Sequence, residues 1–192
     1  MKNTLLILGY ALLLPLFCFG QSHERLIDFP KMPVSYNLKR IGTEKPVQTD
    51  ERALGLVEIK IEDKSVLPEQ TFTAGDDWLK GLSIKLKNIS DKPISSIIVS
   101  FSIPNPSNDR NEMGLTLKYN QMKRNSEAEK EKLIMPDETV ELEVSEKQYE
   151  AEKNVWMRKM DTAVFNRILL GSIIAIFEDG SSLITIKPTR AQ

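Results

Sequence analysis

Cysteine and histidine are almost missing from this 192-residue chain: Cys18 and His23 are the only ones. A lone histidine near the start of the chain excludes a multi-histidine metal centre and is badly placed for a Ser-His-Asp triad. A lone cysteine excludes an internal disulfide framework, so a folded domain must rest on its apolar core. Neither sign of charge dominates, with 26 Lys plus Arg against 27 Asp plus Glu and a formal net charge of −1. That balance leaves no broad basic field for nucleic acid or an anionic membrane. The phosphate-cradling patterns G-x-G-x-x-G and G-x-x-x-x-G-K-[ST] are absent as well.

What is present begins with MKNTLLILGYALLLPLFCFG over residues 1–20. Lys2, an apolar run from Leu5 to Phe19 and the small Gly20 predict an export signal cleaved after Gly20. The run is shorter than the ~20 residues a membrane-spanning helix needs. Pro15-Leu16-Phe17 is too bulky ahead of Cys18 for a lipid-attachment signal. Cleavage would leave a secreted or periplasmic chain with no cysteine and no membrane span.

Residues 21–53 carry Pro30, Pro33 and Pro46 among mixed charges without a sustained period, and are expected to form an extended arm or linker. Residues 54–192 form one domain. Its clearest stretch is LKGLSIKLKNISDKPISSIIVSFSI over 79–103. Leu82, Ile84, Leu86 and Asn88 fall on one face of an extended strand and Ser83, Lys85 and Lys87 on the other. Pro93 ends the turn that leads into a second strand, Ile94 to Ile103. Further strands are expected at Leu56–Ile61, Thr71–Thr73, Leu115–Tyr119 and Thr139–Val144, with a charged loop or frayed helical turn from Asn120 to Lys132.

Ser145 and Gln148 form a capping box that predicts a helix ending near Asp161, with Tyr149, Trp156, Met160, Ala163 and Val164 on its packed stripe. Arg167–Phe177 and Leu183–Lys187 then form a hairpin whose Asp179-Gly180 supplies positive-φ positions. Ile168-Leu169-Leu170 and Ile173–Phe177 are apolar with little alternation, as in a central strand covered on both faces, and the helix is the expected second cover.

The segments Ala74-Gly75-Asp76-Asp77-Trp78-Leu79-Lys80-Gly81-Leu82, Leu86-Lys87-Asn88-Ile89-Ser90-Asp91-Lys92-Pro93-Ile94, Pro136-Asp137-Glu138-Thr139-Val140-Glu141-Leu142 and Ile176-Phe177-Glu178-Asp179-Gly180 follow one another in this order. Over Leu56 to Lys187 the chain resembles an uncharacterised family of secreted bacterial β-sandwich proteins of immunoglobulin-like architecture. Asp137 and Ser182-Leu183 depart from the family pattern, where Gly and Thr-Trp are usual. The resemblance implies a mainly β, immunoglobulin-like antiparallel sandwich with one helix inserted before the final hairpin, and an exported location. It carries no activity with it.

Asp76-Asp77 beside Trp78 is the best carboxylate pair for acid chemistry, set against the plainer reading of a turn with two solvated acids. Asp109-x-Asn111-x-x-Gly114 opens like a calcium loop, but Met113 and Asn120 occupy ligand positions of an EF-hand, leaving only a looser site open. Trp78, Tyr119 and Trp156 could stack on sugars or pack in the core. The expectation is therefore no catalytic residue, no cofactor and no metal, with Asp76, Asp77, Trp78, Asp109 and Asn111 as candidate ligand or partner contacts. The predicted function is an exported non-enzymatic module binding an extracellular or envelope protein through its loops or an edge strand. A calcium- or glycan-binding accessory domain is the alternative, and a carboxylate-only hydrolase a third.

Overall fold

A computed structural model describes residues 22–28, 34–38, 47–105, 112–120 and 132–186. The described strands are β1 (His23–Asp28), β2 (Val34–Leu38), β3 (Val47–Thr49), β4 (Leu54–Ile61), β5 (Lys64–Val66), β6 (Thr71–Ala74), β7 (Leu82–Asn88), β8 (Ile94–Pro104), β9 (Glu112–Tyr119), β10 (Thr139–Glu143), β11 (Arg167–Phe177) and β12 (Ser182–Ile186). A 3-10 turn, Trp78–Gly81, precedes β7, and helix α1, Glu146–Met160, separates β10 from the final hairpin. The described residues are mainly β, with two sheets and one α-helix, and the β character is as the alternation predicted.

The smaller sheet runs β10-β7-β4-β5 and is antiparallel throughout. The larger is organised around β11. One edge of β11 is taken by β8 over nearly its whole length. The other edge is shared: β12 pairs with Ser172–Ile176, and β1 pairs with Arg167–Leu169. β9 extends the sheet beyond β8, β2 and β3 beyond β12, and β6 beyond β1. The β1–β11 pair is parallel, the one departure from antiparallel pairing among the described strands.

The core lies between the sheets. Leu82, Ile84, Leu86 and Ile59 from the smaller sheet face Val99, Phe101, Leu117 and Ile168 from the larger, all buried. Each such side chain contributes roughly 1.5–3 kcal/mol relative to exposure, which supports a chain of this size without disulfides. Asn88 shares the buried face as expected and is fully buried. Its Nδ2 donates to the carbonyls of Lys92 (2.9 Å) and Ile134 (3.0 Å), and its Oδ1 accepts from the Ser90 N–H (3.0 Å) and hydroxyl (2.7 Å). That saturation lets a polar residue close the β7–β8 turn inside the core.

Several expectations need correction. The segment 21–53 is no arm: β1, β2 and β3 are integral strands, and Arg25, Ile27 and Ala53 are buried. Its prolines had hidden the strands, yet Pro30, Pro33 and Pro46 fall between them in sequence. The strand expected from Leu79 begins at Leu82, because Trp78–Gly81 turns into the 3-10 conformation.

The capping box is half formed. Ser145 Oγ accepts from the Gln148 N–H at 3.2 Å, but the Gln148 amide donates to the Thr116 carbonyl of β9 at 2.7 Å instead of returning. It thereby caps part of the open edge of the larger sheet. Asp161, with φ 55°, ends the helix where predicted, so Val164 lies beyond the helical period and is 43% exposed.

In the final hairpin only Gly180 takes positive φ, at 79°. Phe177 N–H donates to Ser181 O and Gly180 N–H to Phe177 O, a three-residue loop in place of a two-residue turn. Helix α1 is also not the second cover of β11. Its Tyr149, Trp156 and Met160 join the core between the sheets, and Trp156 meets Phe165, just ahead of β11, edge to face at 5.2 Å. The helix therefore closes one end of the sandwich.

Candidate functional site

The sequence candidates Asp76, Asp77 and Trp78 lie at this helix end, between β6 and β7. Arg25 points inward from β1, opposite Phe72, and is fully buried. Its guanidinium donates to Asp76 Oδ1 (2.8 Å), Phe165 O (3.0 Å), Gly75 O (3.3 Å) and Asn166 Oδ1. Phe165 O also accepts from the Trp78 indole N–H at 2.7 Å. The Trp78 ring stands edge-on to Phe72 at 5.4 Å and is 2% exposed. Trp156 is equally buried, so both indoles serve the core and neither offers a face to a sugar.

Asp77 is engaged from the helix. Its Oδ1 accepts from the Tyr149 hydroxyl at 2.7 Å and from Lys153 Nζ at 3.1 Å. The Tyr149 hydrogen bond, more than the Lys153 charge, holds the Asp77 carboxyl below the usual carboxylate range against a smaller effect of burial. Burial first, then Asp77, push the Tyr149 hydroxyl above its ordinary value. Both acids remain about half exposed, yet each ties a different element to the turn. A cavity of about 650 Å³ lies beside them, lined by Glu62, Asp76, Asp77 and Lys80 among others.

A lowered carboxyl contributes stability above its unfolded-state pKa and loses it as pH falls through the lower folded value. The stabilisation from Asp77 should therefore fade below the ordinary aspartate range. Acid unfolding of Asp77→Asn is expected to show a shallower loss of stability across that window than the parent protein. Identical acid limbs would contradict this assignment.

The opposite end of the sandwich, which the sequence did not single out, holds a second cavity. Three segments distant in sequence converge there: Glu51-Arg52-Ala53 before β4, Ile89–Lys92 after β7, and the β11–β12 hairpin. They enclose a cavity of about 600 Å³. Ala53, Phe177 and Leu183 supply a buried apolar floor, while Ile89 stands 50% exposed at its wall. Lys92 Nζ lies 5.5 Å from the centre of the Phe177 ring and 3.3 Å from Asp179. Asp179 is held below the usual carboxylate range, first by the Ser181 hydroxyl and N–H and then by Lys92. Arg52 is exposed and makes no ion pair among the described residues.

The turns after β7 and between β11 and β12 were legible, but Glu51-Arg52-Ala53 was assigned to the arm, and the convergence of the three depends on the strand register. Asp109 and Asn111 lie outside the described residues. Among the described residues no cluster of three or more His, Cys, Asp or Glu could hold a metal ion, and no helix is long and apolar enough to cross a membrane. Compared with protein-family models, curated proteins and solved structures, the chain matches none.

Proposed function

We propose that this protein is an exported, non-enzymatic binding module of immunoglobulin-like architecture that takes a protein partner of the cell envelope or extracellular space at its loop end. The observation that carries the reading is the loop-end cavity. An apolar floor, a half-exposed Ile89 and an Arg52 without an ion pair among the described residues stand together on loops held by rigid strands. The fully satisfied Asn88 fixes the turn that carries Ile89, so a partner meets a preformed surface. An exposed aliphatic anchor beside an arginine suits a protein contact.

The rival readings lose support at the helix end. Carboxylate chemistry would need Asp76 and Asp77 turned to a substrate, and both are engaged by Arg25, Tyr149 and Lys153. Glycan stacking would need an open indole face.

Crosslinked co-purification of the exported protein from its native envelope tests the proposal. The wild-type chain is expected to capture a stoichiometric protein, and Ile89→Asp and Arg52→Glu to weaken that capture about tenfold or more, the effect of losing one hot-spot contact. Val57→Asp, an exposed position on β4 that does not line the cavity, should leave it intact. No captured protein, or capture indifferent to Ile89 and Arg52, would overturn it.

A further inference from the structure

Among the described strands β10 pairs with β7 alone, which makes it an edge of the smaller sheet. The Asn88 N–H donates to Glu138 O at 2.9 Å and the Val144 N–H to Leu82 O at 3.0 Å, so the even-numbered residues of this stretch are the ones bonded to β7. In an antiparallel pair the residues between them direct their backbone groups the other way. The N–H and C=O of Thr139, Glu141 and Glu143 therefore face the open side, where no backbone group of the described residues meets them. All three residues are exposed. The other edges offer less: β3 and β5 have three residues and β6 four, and the Thr116 carbonyl of β9 is taken by Gln148. An unpaired row of donors and acceptors at strand spacing accepts one kind of occupant, an extended chain.

The side chains along that edge narrow the occupant further. On the outer face of the sheet, strand register places Glu58, Lys85 and Glu141 in one row across β4, β7 and β10, and Lys60, Ser83 and Glu143 in the next. Both rows end at the edge in a carboxylate. Glu143 makes no ion pair among the described residues, and Glu141 has the Ser83 hydroxyl at 2.9 Å but its nearest cation, Lys60, only at 4.0 Å. On the inner face Leu142 is buried and Val140, partly buried, packs against the core.

We propose that β10 is a docking edge for an extended segment of a partner protein, added as an antiparallel strand, in which basic residues alternate with apolar ones. The basic residues lie opposite Glu141 and Glu143 and continue the two outer rows with the missing cation. The apolar residues lie on the inner side beside Val140 and Leu142. The backbone supplies the pairing, and the side chains choose the partner. The same carboxylates exclude a second copy of this strand, because β10 paired with β10 would set acid against acid. This edge is distinct from the loop-end cavity, whose lining includes no residue of β10.

Binding of a fluorescently labelled peptide that alternates lysine with valine, followed by polarisation, provides the test, with amide hydrogen exchange as a second readout. The purified exported protein should bind this peptide and not one that alternates glutamate with valine. Binding should slow exchange of the Thr139, Glu141 and Glu143 amides, and N-methylation of the peptide at its lysines, which removes the donors opposite Glu141 and Glu143 but keeps the charge, should abolish it. The exposed double substitution Glu141→Lys with Glu143→Lys should weaken the lysine peptide about tenfold or more and transfer preference to the glutamate peptide. Ile89→Asp should still bind the lysine peptide, which separates this edge from the loop-end site. No binding of the lysine peptide, binding that leaves the three amides unprotected, or equal binding of the N-methylated peptide would overturn the proposal.

Discussion

Replacing Arg25 by alanine is expected to lower the unfolding free energy by about 3–5 kcal/mol, the range found when one partner of a buried ionic group is removed. The side chain is fully buried and its four hydrogen bonds hold together parts of the chain remote in sequence: β1, the turn at Gly75-Asp76 and the Phe165-Asn166 approach to β11. Alanine would strip donors from these acceptors and leave a cavity beside Phe72 and Trp78. Arg25→Met keeps much of the volume and should cost less. Asp76→Ala should also be costly, because it leaves a buried guanidinium without its counter-charge, although Asp76 itself is half-exposed. Urea unfolding of the three variants measures the ordering. Losses within about 1 kcal/mol for Arg25→Ala, the level of an ordinary surface substitution, would refute the role given to this residue.

The second large effect concerns the N-terminal segment. Deleting residues 21–53 should abolish cooperative folding. It removes the strand that pairs in parallel with β11, the strand that covers the free edge of β12, and the core residues Ile27 and Ala53. It also removes Glu51 and Arg52 from the loop-end cavity. Removing residues 1–20 alone should leave the thermal transition in place. A sharp thermal or urea transition in the protein lacking 21–53 would show that these strands are dispensable and that the domain begins at β4.

Both effects rest on features the sequence conveyed unevenly. Period-2 alternation made β7, β8 and β10 readable residue by residue, including the inward Asn88. It failed in the N-terminal segment because β1 carries a charged residue, Arg25, on its buried face, so polar and apolar positions no longer report the inside and the outside. Only the tertiary partners of Arg25 make that placement affordable, and they lie far along the chain.

The candidate site was legible in a similar way. Asp76-Asp77-Trp78 stood out by composition, yet what distinguishes a ligand-binding acid from a structural one is its partners, here Arg25, Tyr149 and Lys153. The loop-end cavity left no local mark at all, since Arg52, Ile89 and Phe177 meet only through the order of the strands. The apolar run of β11 was read as a strand covered on both faces with the helix as the second cover, but the helix closes the sandwich end instead.

The most direct test of the binding role is photocrosslinking in the native cell envelope from a reactive side chain placed at position 89, with position 57 as the reference. Both sites are about half exposed, but only position 89 lines the loop-end cavity. The account predicts a discrete protein adduct from position 89 and none from position 57. Equal labelling from both, or no adduct from position 89, would contradict a partner site at the loop end.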